Sequence, residues 1–280
     1  MSTQAPSTAP SATDEREIHI IGHTAMFYWW PVWAIGYIMA LLTYIDGSRL
    51  GFVPEGTEAR RNWRVEVAPD KWETREGLIL PPGKSLPTDP DGNPLQPRLH
   101  IAQNKNIGVL YVTVLLLVIV ITNVPLRGMW SVVVIVTVIA LVIIFILSGI
   151  WEILLNWLSL LSIHINAGGY LTISTVLLAL WVASTFFFDR QMYMIFTPGQ
   201  VRVRLEIGGG ETAYDTIGMV IKKERDDLFR HWILGLGSGD LIVRTSGAHS
   251  HEFHMHNVLF VGQKLRQIED MQRDRPVVRG

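Results

Sequence analysis

The chain has 280 residues, a formal net charge of −1 and 49% apolar residues. The near-neutral charge gives no electrostatic argument for nucleic acid, and we expect no nucleic-acid partner. The absence of cysteine excludes disulfides, cysteine-ligated zinc, iron–sulfur clusters and thiol nucleophiles. The apolar residues gather in runs that are too long for the core of a soluble protein, which predicts a membrane protein.

The first 23 residues are predicted to form a disordered tail, because residues 1–15 are small, polar and rich in Ser, Thr and Pro. Four apolar runs with charge-free interiors follow, each long enough to cross a hydrocarbon core of about 30 Å. Helices are expected, since an open strand edge would leave backbone groups unpaired in lipid. The absence of ionisable residues inside the spans argues against an ion-coupled transporter. The predicted spans are residues 24–45, 107–124, 129–148 and 170–189.

Two segments outside these runs differ from them in composition. Residues 149–169 contain Glu152, Asn156 and His164, and their apolar residues recur at helical spacing. This pattern predicts an amphipathic helix that lies in the membrane interface or extends the third run beyond the membrane, with a fifth span as the alternative. Residues 46–106 carry eight of the fourteen prolines and are predicted to form an extramembrane loop with short β elements.

The part of the chain after the fourth run alternates apolar and polar residues between turn-forming segments. This alternation predicts antiparallel strands, including "GDLIVRT" and "HEFHMH". Apolar residues then recur at helical spacing in "NVLFVGQKLRQIEDMQ", where Asn257 is expected to be the N-cap. Leu265 and Ile268 are expected to be buried where this closing helix packs on the sheet.

Four quoted segments carry a resemblance to a known family. "YMIFTPGQVRV", "YDTIGMVIKKERD", "LGLGSGDLIVRTSG" and "NVLFVGQKLRQIE" follow a membrane helix in this order. The order and wording resemble the bacterial pleckstrin-homology-like (PH-like) domain of small membrane proteins. The resemblance covers residues 190–275, leaves 276–280 as a tail, and implies antiparallel strands closed by one α-helix. It implies no catalytic motif.

The predicted fold class is therefore four transmembrane helices followed by a C-terminal PH-like antiparallel β domain closed by one α-helix. Four spans place both termini on one side of the membrane. Lys and Arg residues near the spans are divided almost evenly between the two sides, so the positive-inside rule does not decide the orientation. The resemblance implies a bacterial inner (cytoplasmic) membrane with both termini in the cytoplasm.

The stretch "SGAHSHEFHMHN" contains four of the nine histidines. On a strand, Glu252, His254 and His256 share one face, and His-x-His is a known metal-ligand geometry. Together with His249 and His251 they are the candidate metal ligands. The last two have the opposite parity, so a regular strand is expected to hold no metal tightly. A solvated strand face and a pH-responsive cluster are the alternatives.

Five basic residues are candidates for contact with lipid phosphates. Each basic residue near an acidic leaflet contributes on the order of 1 kcal/mol to membrane binding. The alternative is an ordinary solvated strand face. The five residues are Arg202, Arg204, Lys222, Lys223 and Arg225.

The leading functional hypothesis is a non-enzymatic integral membrane scaffold or docking protein that forms a subunit of a larger membrane complex. Its PH-like domain would contact proteins or the lipid surface, and no catalytic residue or cofactor is predicted. The expected partners are membrane lipids and other membrane proteins, or a second copy of the chain. The alternatives are a regulatory component of a transporter or channel, and a metal-responsive membrane sensor that uses the histidine cluster.

Overall fold

The chain folds into a set of long apolar helices and a C-terminal domain that contains two antiparallel sheets. The computed structural model describes residues 17–124, 128–205, 209–224, 227–246 and 250–273.

The strands and helices within the described residues are numbered in chain order. The strands are β1 Ile18–Ile21, β2 Arg49–Leu50, β3 Glu58–Ala68, β4 Lys71–Ile79, β5 Leu99–His100, β6 Tyr193–Phe196, β7 Gln200–Arg204, β8 Thr212–Asp215, β9 Val220–Glu224, β10 Gly239–Arg244 and β11 Glu252–Val258. The helices are α1 Trp30–Asp46, α2 Asn106–Asn123, α3 Met129–Leu147, α4 Ile150–Leu160, α5 Ala167–Ala183 and α6 Val261–Arg273.

Four helical segments are long and apolar enough to cross a membrane, which confirms the prediction of four apolar helices. A 3-10 turn, Ala25–Trp29, precedes α1, and a π-helical turn and a 3-10 turn continue α5. The fourth segment begins before the predicted residue 170, because the Asn166 side chain accepts a hydrogen bond from Gly169 N and caps the helix. The segments are Ala25–Asp46, Asn106–Asn123, Met129–Leu147 and Ala167–Gln191.

Helices α1, α2 and α5 pack closely around a small residue. A Cβ atom added at Gly36 in α1 would lie 2.0 Å from Ser174 Oγ of α5 and 3.0 Å from the Tyr111 ring of α2. Glycine at this position therefore sets the distance between the three helices, as is common for small residues in membrane bundles. The rings of Tyr111 and Tyr170 then meet edge to face, with their centroids 5.2 Å apart.

Helices α3 and α4 differ from this bundle. Ser131 alone is buried among the residues of α3, so its apolar side chains face outward as on a lipid-facing helix. The 11 residues of α4 rise about 17 Å. This length is well short of the hydrocarbon core of about 30 Å, so α4 is too short to be a fifth span.

The segment between α1 and α2 contains a ribbon of two strands. β3 and β4 pair antiparallel, and β2 pairs with β5 at the base of the segment. Every residue of β3 is exposed. The two strands are longer than the short β elements that the prolines had suggested.

The C-terminal domain contains two antiparallel sheets. The first has the strand order β1-β6-β7-β8 and the second has the order β11-β10-β9. The buried side chains of both sheets and of α6 form one apolar core. Ile268 of α6 is fully buried in this core, as expected, whereas Leu265 is only half-buried.

The prediction of a disordered tail up to residue 23 is wrong for residues 18–21. They form β1, which pairs with β6 in the register Ile20–Met194. Ile20 is fully buried while His19 is exposed, which is the alternation of a strand within "EIHIIGH". The order of residues 18–21 depends on a long-range contact, because their partner strand β6 follows the fourth apolar helix in the chain. The N-terminal residues before 17 and the tail at 276–280 lie outside the described residues.

Candidate functional site at the junction of the helices and the C-terminal domain

The 3-10 turn Ala25–Trp29 lies against the C-terminal domain, and its Tyr28 is buried in the apolar cluster between the helices and Leu234 of that domain. The Tyr28 side chain is fully buried. Its hydroxyl donates to Asn257 Oδ1 at 2.6 Å and lies 3.2 Å from Ser238 Oγ. One residue at the start of the first span therefore contacts both chain segments at the open end of the β10–β11 hairpin, where Gly239 pairs with Val258.

Asn257 connects the domain to the chain before α1. Its side chain donates from Nδ2 to the carbonyl oxygen of His23 at 2.7 Å, and its backbone N–H donates to Asp240 Oδ1 at 2.9 Å. The residue has φ +57°, a left-handed conformation that Asn tolerates better than most residues. The prediction of Asn257 as an N-cap is wrong, because the residue lies in β11 and α6 begins only at Val261.

Asp240, at the start of β10, lies between two histidines. Its Oδ1 is 3.5 Å from His231 Nε2, and its Oδ2 is 3.4 Å from His256 Nδ1. Burial acts to raise the pKa of Asp240, but the hydrogen bonds from His231, His256 and the Asn257 N–H outweigh burial and hold the pKa well below its ordinary value. Asp240 is therefore an ionised carboxylate at neutral pH, and it connects His231, His256 and the Asn257 backbone at the junction.

A second acid–base pair joins the first span to the last. Asp189 is fully buried, and its Oδ2 lies 3.0 Å from His23 Nδ1. Its Oδ1 accepts the Thr24 N–H at 3.2 Å, while the Thr24 hydroxyl lies 2.7 Å from that of Ser184. The residues immediately before α1 are thus fixed to the end of the fourth span.

The π-helical turn Phe229–Leu234 adds contacts to two helix ends. Trp30 Nε1 at the start of α1 donates to the Leu234 carbonyl at 2.9 Å. Arg230 donates to the carbonyl of Thr122, near the end of α2, at 3.3 Å. The C-terminal domain is therefore attached to the ends of three helices, which fixes its orientation relative to the apolar helices.

The structure has the predicted alternation along the histidine strand. Glu252, His254 and His256 are exposed, and Met255 between the histidines is buried. The rings of His254 and His256 stack with centroids 6.2 Å apart. His251 belongs to the other face, where its ring lies 5.5 Å from the Tyr214 ring.

The carboxylate of this strand face already has partners. Glu252 Oε1 lies 3.1 Å from His254 Nε2, and Arg244 also pairs with Glu252. The hydrogen bond from the Arg244 guanidinium holds the pKa of Glu252 below its ordinary value, although burial acts to raise it. In the described part of the chain no group of three or more His, Asp or Glu side chains is arranged to hold a metal. His249 lies outside the described residues.

The predicted basic candidates are divided between the two sheets. Arg202 and Arg204 belong to β7 in the first sheet, where Arg202 is 3.8 Å from Glu211. Lys222 and Lys223 belong to β9 in the second sheet, where Lys222 pairs with Glu224. Arg225 lies outside the described residues.

We expect the Asp240→Asn variant to be less stable at pH 7 and less sensitive to acid. The unfolded aspartate takes up its proton at about pH 4, and the folded one does so only at lower pH. Asp240 therefore stabilises the fold above about pH 4, and this contribution is lost as the pH falls through the folded pKa. Asparagine keeps one acceptor oxygen but loses the charge that faces His231 and His256, and loss of a hydrogen bond to a charged group costs about 1–3 kcal/mol.

Thermal unfolding of the full chain in detergent between pH 3 and pH 7 measures both effects. Asp270→Asn, which changes an exposed aspartate of α6, is the matched control and is expected to unfold as the wild type does. A pH profile of Asp240→Asn that coincides with the wild-type profile would contradict the role assigned to this carboxylate.

Comparison of the chain with protein-family models, with curated proteins and with solved structures gives no match. The geometry of the junction and of the exposed surfaces is therefore the basis for a functional conclusion.

Proposed function

We propose that this chain is a non-enzymatic integral membrane scaffold or docking protein that forms a subunit of a larger membrane complex. Four membrane helices would carry a PH-like domain made of the two sheets and α6. The resemblance of residues 190–275 supports the PH-like assignment, as do the antiparallel pairing and the closing helix. The proposed location is a bacterial inner membrane, with both termini and this domain in the cytoplasm.

The attachment of the domain to three helix ends is the observation that carries the proposal. Tyr28, Asn257 and the His23–Asp189 pair are all removed from solvent or nearly so, and their polar atoms are matched to one another. Buried polar groups of this kind specify one arrangement of the parts that they join. A domain held in one orientation suits the docking of partners at a set position above the membrane.

The β3–β4 ribbon supports a place in a larger assembly. It follows α1 and therefore lies at the end of that helix opposite the C-terminal domain. Aromatic and β-branched side chains stabilise strands when they pack against neighbouring groups. On the ribbon, however, the side chains of Trp63, Val65 and Trp72 are exposed. Since a two-stranded ribbon alone is only marginally stable, contact with another membrane protein or a second copy would stabilise it.

Affinity purification of the tagged full chain in mild detergent tests this proposal. We expect a stoichiometric partner, or a second copy detected as a higher mass of the particle, to accompany the wild type. The Trp63→Ser/Trp72→Ser variant should lose this partner, because it removes the largest exposed apolar groups of the ribbon. Val220→Ser, which changes a similarly exposed residue of β9, is the control and should retain it.

Two outcomes would contradict the proposed function. The first is a wild-type chain that purifies alone as a particle containing one copy under every mild detergent condition. The second is a partner that is bound equally by the wild type and by the ribbon variant, which would place the docking surface elsewhere.

A further inference from the structure

Four large apolar side chains are exposed on the C-terminal domain near the ends of the membrane helices. They are more than half exposed, although a soluble domain seldom leaves several such residues together at its surface. We call them the apolar rim, and its members are Trp232, Ile233, Leu236 and Phe260.

The residues next to the apolar rim in the sequence show where the rim lies along the axes of the helices. Leu234 is buried in the cluster that contains Phe27 of the first span and Ile121 of α2. Leu259, next to Phe260, packs against the same cluster. The rim therefore projects from the domain at the level where α1 begins and α2 ends, which is the level of a membrane interface if these helices span a bilayer.

The backbone at two rim positions favours small residues. Leu236 has φ +50° and Phe260 has φ +52°, and bulky residues rarely adopt this left-handed conformation. Glycine would relieve the strain at both positions. The fold therefore keeps a large apolar side chain at two exposed positions where the backbone is strained, which supports a role for these side chains.

The surroundings of the rim combine apolar and basic groups. Leu236 and Phe260 line a depression of about 490 Å³ together with Lys223, Arg266 and one carboxylate, Glu269. Aromatic and aliphatic side chains with flanking Lys and Arg are typical of surfaces that lie in the boundary between headgroups and acyl chains.

We propose that the apolar rim inserts into the headgroup–acyl boundary of the leaflet that α1 enters, with Lys223 and Arg266 facing acidic phospholipid headgroups. The continuity of the rim with the membrane helices identifies the bilayer as the occupant of this surface. The inference rests on the membrane-spanning part of the proposed function. It adds a second attachment of the domain to the membrane, beside the junction with the helices.

Single-cysteine probes test the insertion, because the chain has no native cysteine. An environment-sensitive fluorophore is attached to Ile233→Cys or to Phe260→Cys in the full chain. Both variants are reconstituted into vesicles of phosphatidylethanolamine and phosphatidylglycerol. Ile217→Cys is the matched control. Ile217 is 67% exposed, and it precedes Val220, the end of β9 that pairs with Arg244 and lies away from Asp240 at the junction.

We expect nitroxide-labelled lipids to quench the probes at positions 233 and 260 several-fold more strongly than the probe at 217. Replacing phosphatidylglycerol by phosphatidylcholine, or combining each probe with Lys223→Gln/Arg266→Gln, should weaken this quenching. Equal quenching at all three positions would overturn the inference. Probe burial in detergent that increases with protein concentration would also overturn it, because a second copy would then cover the rim.

A topology measurement separates a failure of this inference from a failure of the proposed membrane arrangement. Cysteines introduced at Ser85 and at Ser246, which are both exposed, should be labelled from opposite sides of the vesicle. Labelling from one side would overturn both the arrangement and the inference. Labelling from opposite sides, with no lipid quenching at 233 and 260, would overturn the inference alone.

Discussion

The Ile268→Asp variant is expected to lose the folded C-terminal domain while the membrane helices keep their structure. Ile268 is fully buried where α6 meets the two sheets. A carboxylate at this position would have no partner, and an unpaired buried charge costs several kcal/mol. Since whole domains are stable by only about 5–15 kcal/mol, this single change removes a large part of the stability.

Limited trypsin digestion of the full chain in detergent measures the effect. Arg202 and Lys223 lie in strands, and cleavage there should become rapid in the variant. The far-ultraviolet circular dichroism should keep most of its helical signal. Gln267→Asp, at an exposed neighbouring position of α6, should digest as slowly as the wild type. Equal resistance of Ile268→Asp would mean that α6 does not close the sheets.

The second large effect is expected at the junction, where Asn257→Gly should loosen the domain from the helices. Glycine keeps the positive φ but removes both side-chain hydrogen bonds, those to Tyr28 and to His23. Each lost buried hydrogen bond costs about 1–3 kcal/mol, so a total of about 2–6 kcal/mol is expected. Hydrogen exchange should accelerate in β1 and in the 3-10 turn that contains Tyr28.

The chain offers a matched control for this change. Asn62 has φ +59°, nearly the same backbone conformation, but lies exposed on the β3–β4 ribbon. Asn62→Gly should therefore leave exchange at the junction unchanged. Tyr28→Phe removes only the hydroxyl and should give a smaller acceleration than Asn257→Gly. Exchange rates in Asn257→Gly that equal the wild-type rates would show that the junction is held by apolar packing alone.

The sequence predicted the parts of the fold that depend on local pattern. The four apolar helices follow from the length of the charge-free runs, because lipid leaves the backbone few other choices. The faces of β11 follow from parity, which placed His254 and His256 on the exposed side. Ile268 was correctly expected in the core because it continues a helical apolar stripe.

The junction could not be predicted in the same way, because its contacts join distant parts of the chain. Tyr28 and Asn257 are 229 positions apart, and no periodic pattern links them. Asn257 was expected to be an N-cap because Asn is common there, but a left-handed strand residue also suits Asn. In the sequence, Asp189 is only the last residue of the predicted span 170–189, whereas in the structure it is fully buried and pairs with His23.

The position of β1 in the first sheet has a consequence for biosynthesis. The strand is made before any membrane helix, yet its partner β6 is made after all of them. His23 follows β1 and pairs with Asp189, which precedes β6, and the two residues are 166 positions apart. At a synthesis rate of about 5–20 residues per second, the first strand therefore waits on the order of 10–30 s for its partner. If the four apolar helices span a bilayer, they enter it during this time, while the edge of β1 is still unpaired. In that arrangement β1 can pair with β6 only when both strands have remained on the same side of the membrane, so completion of the sheet would depend on correct insertion of all four helices.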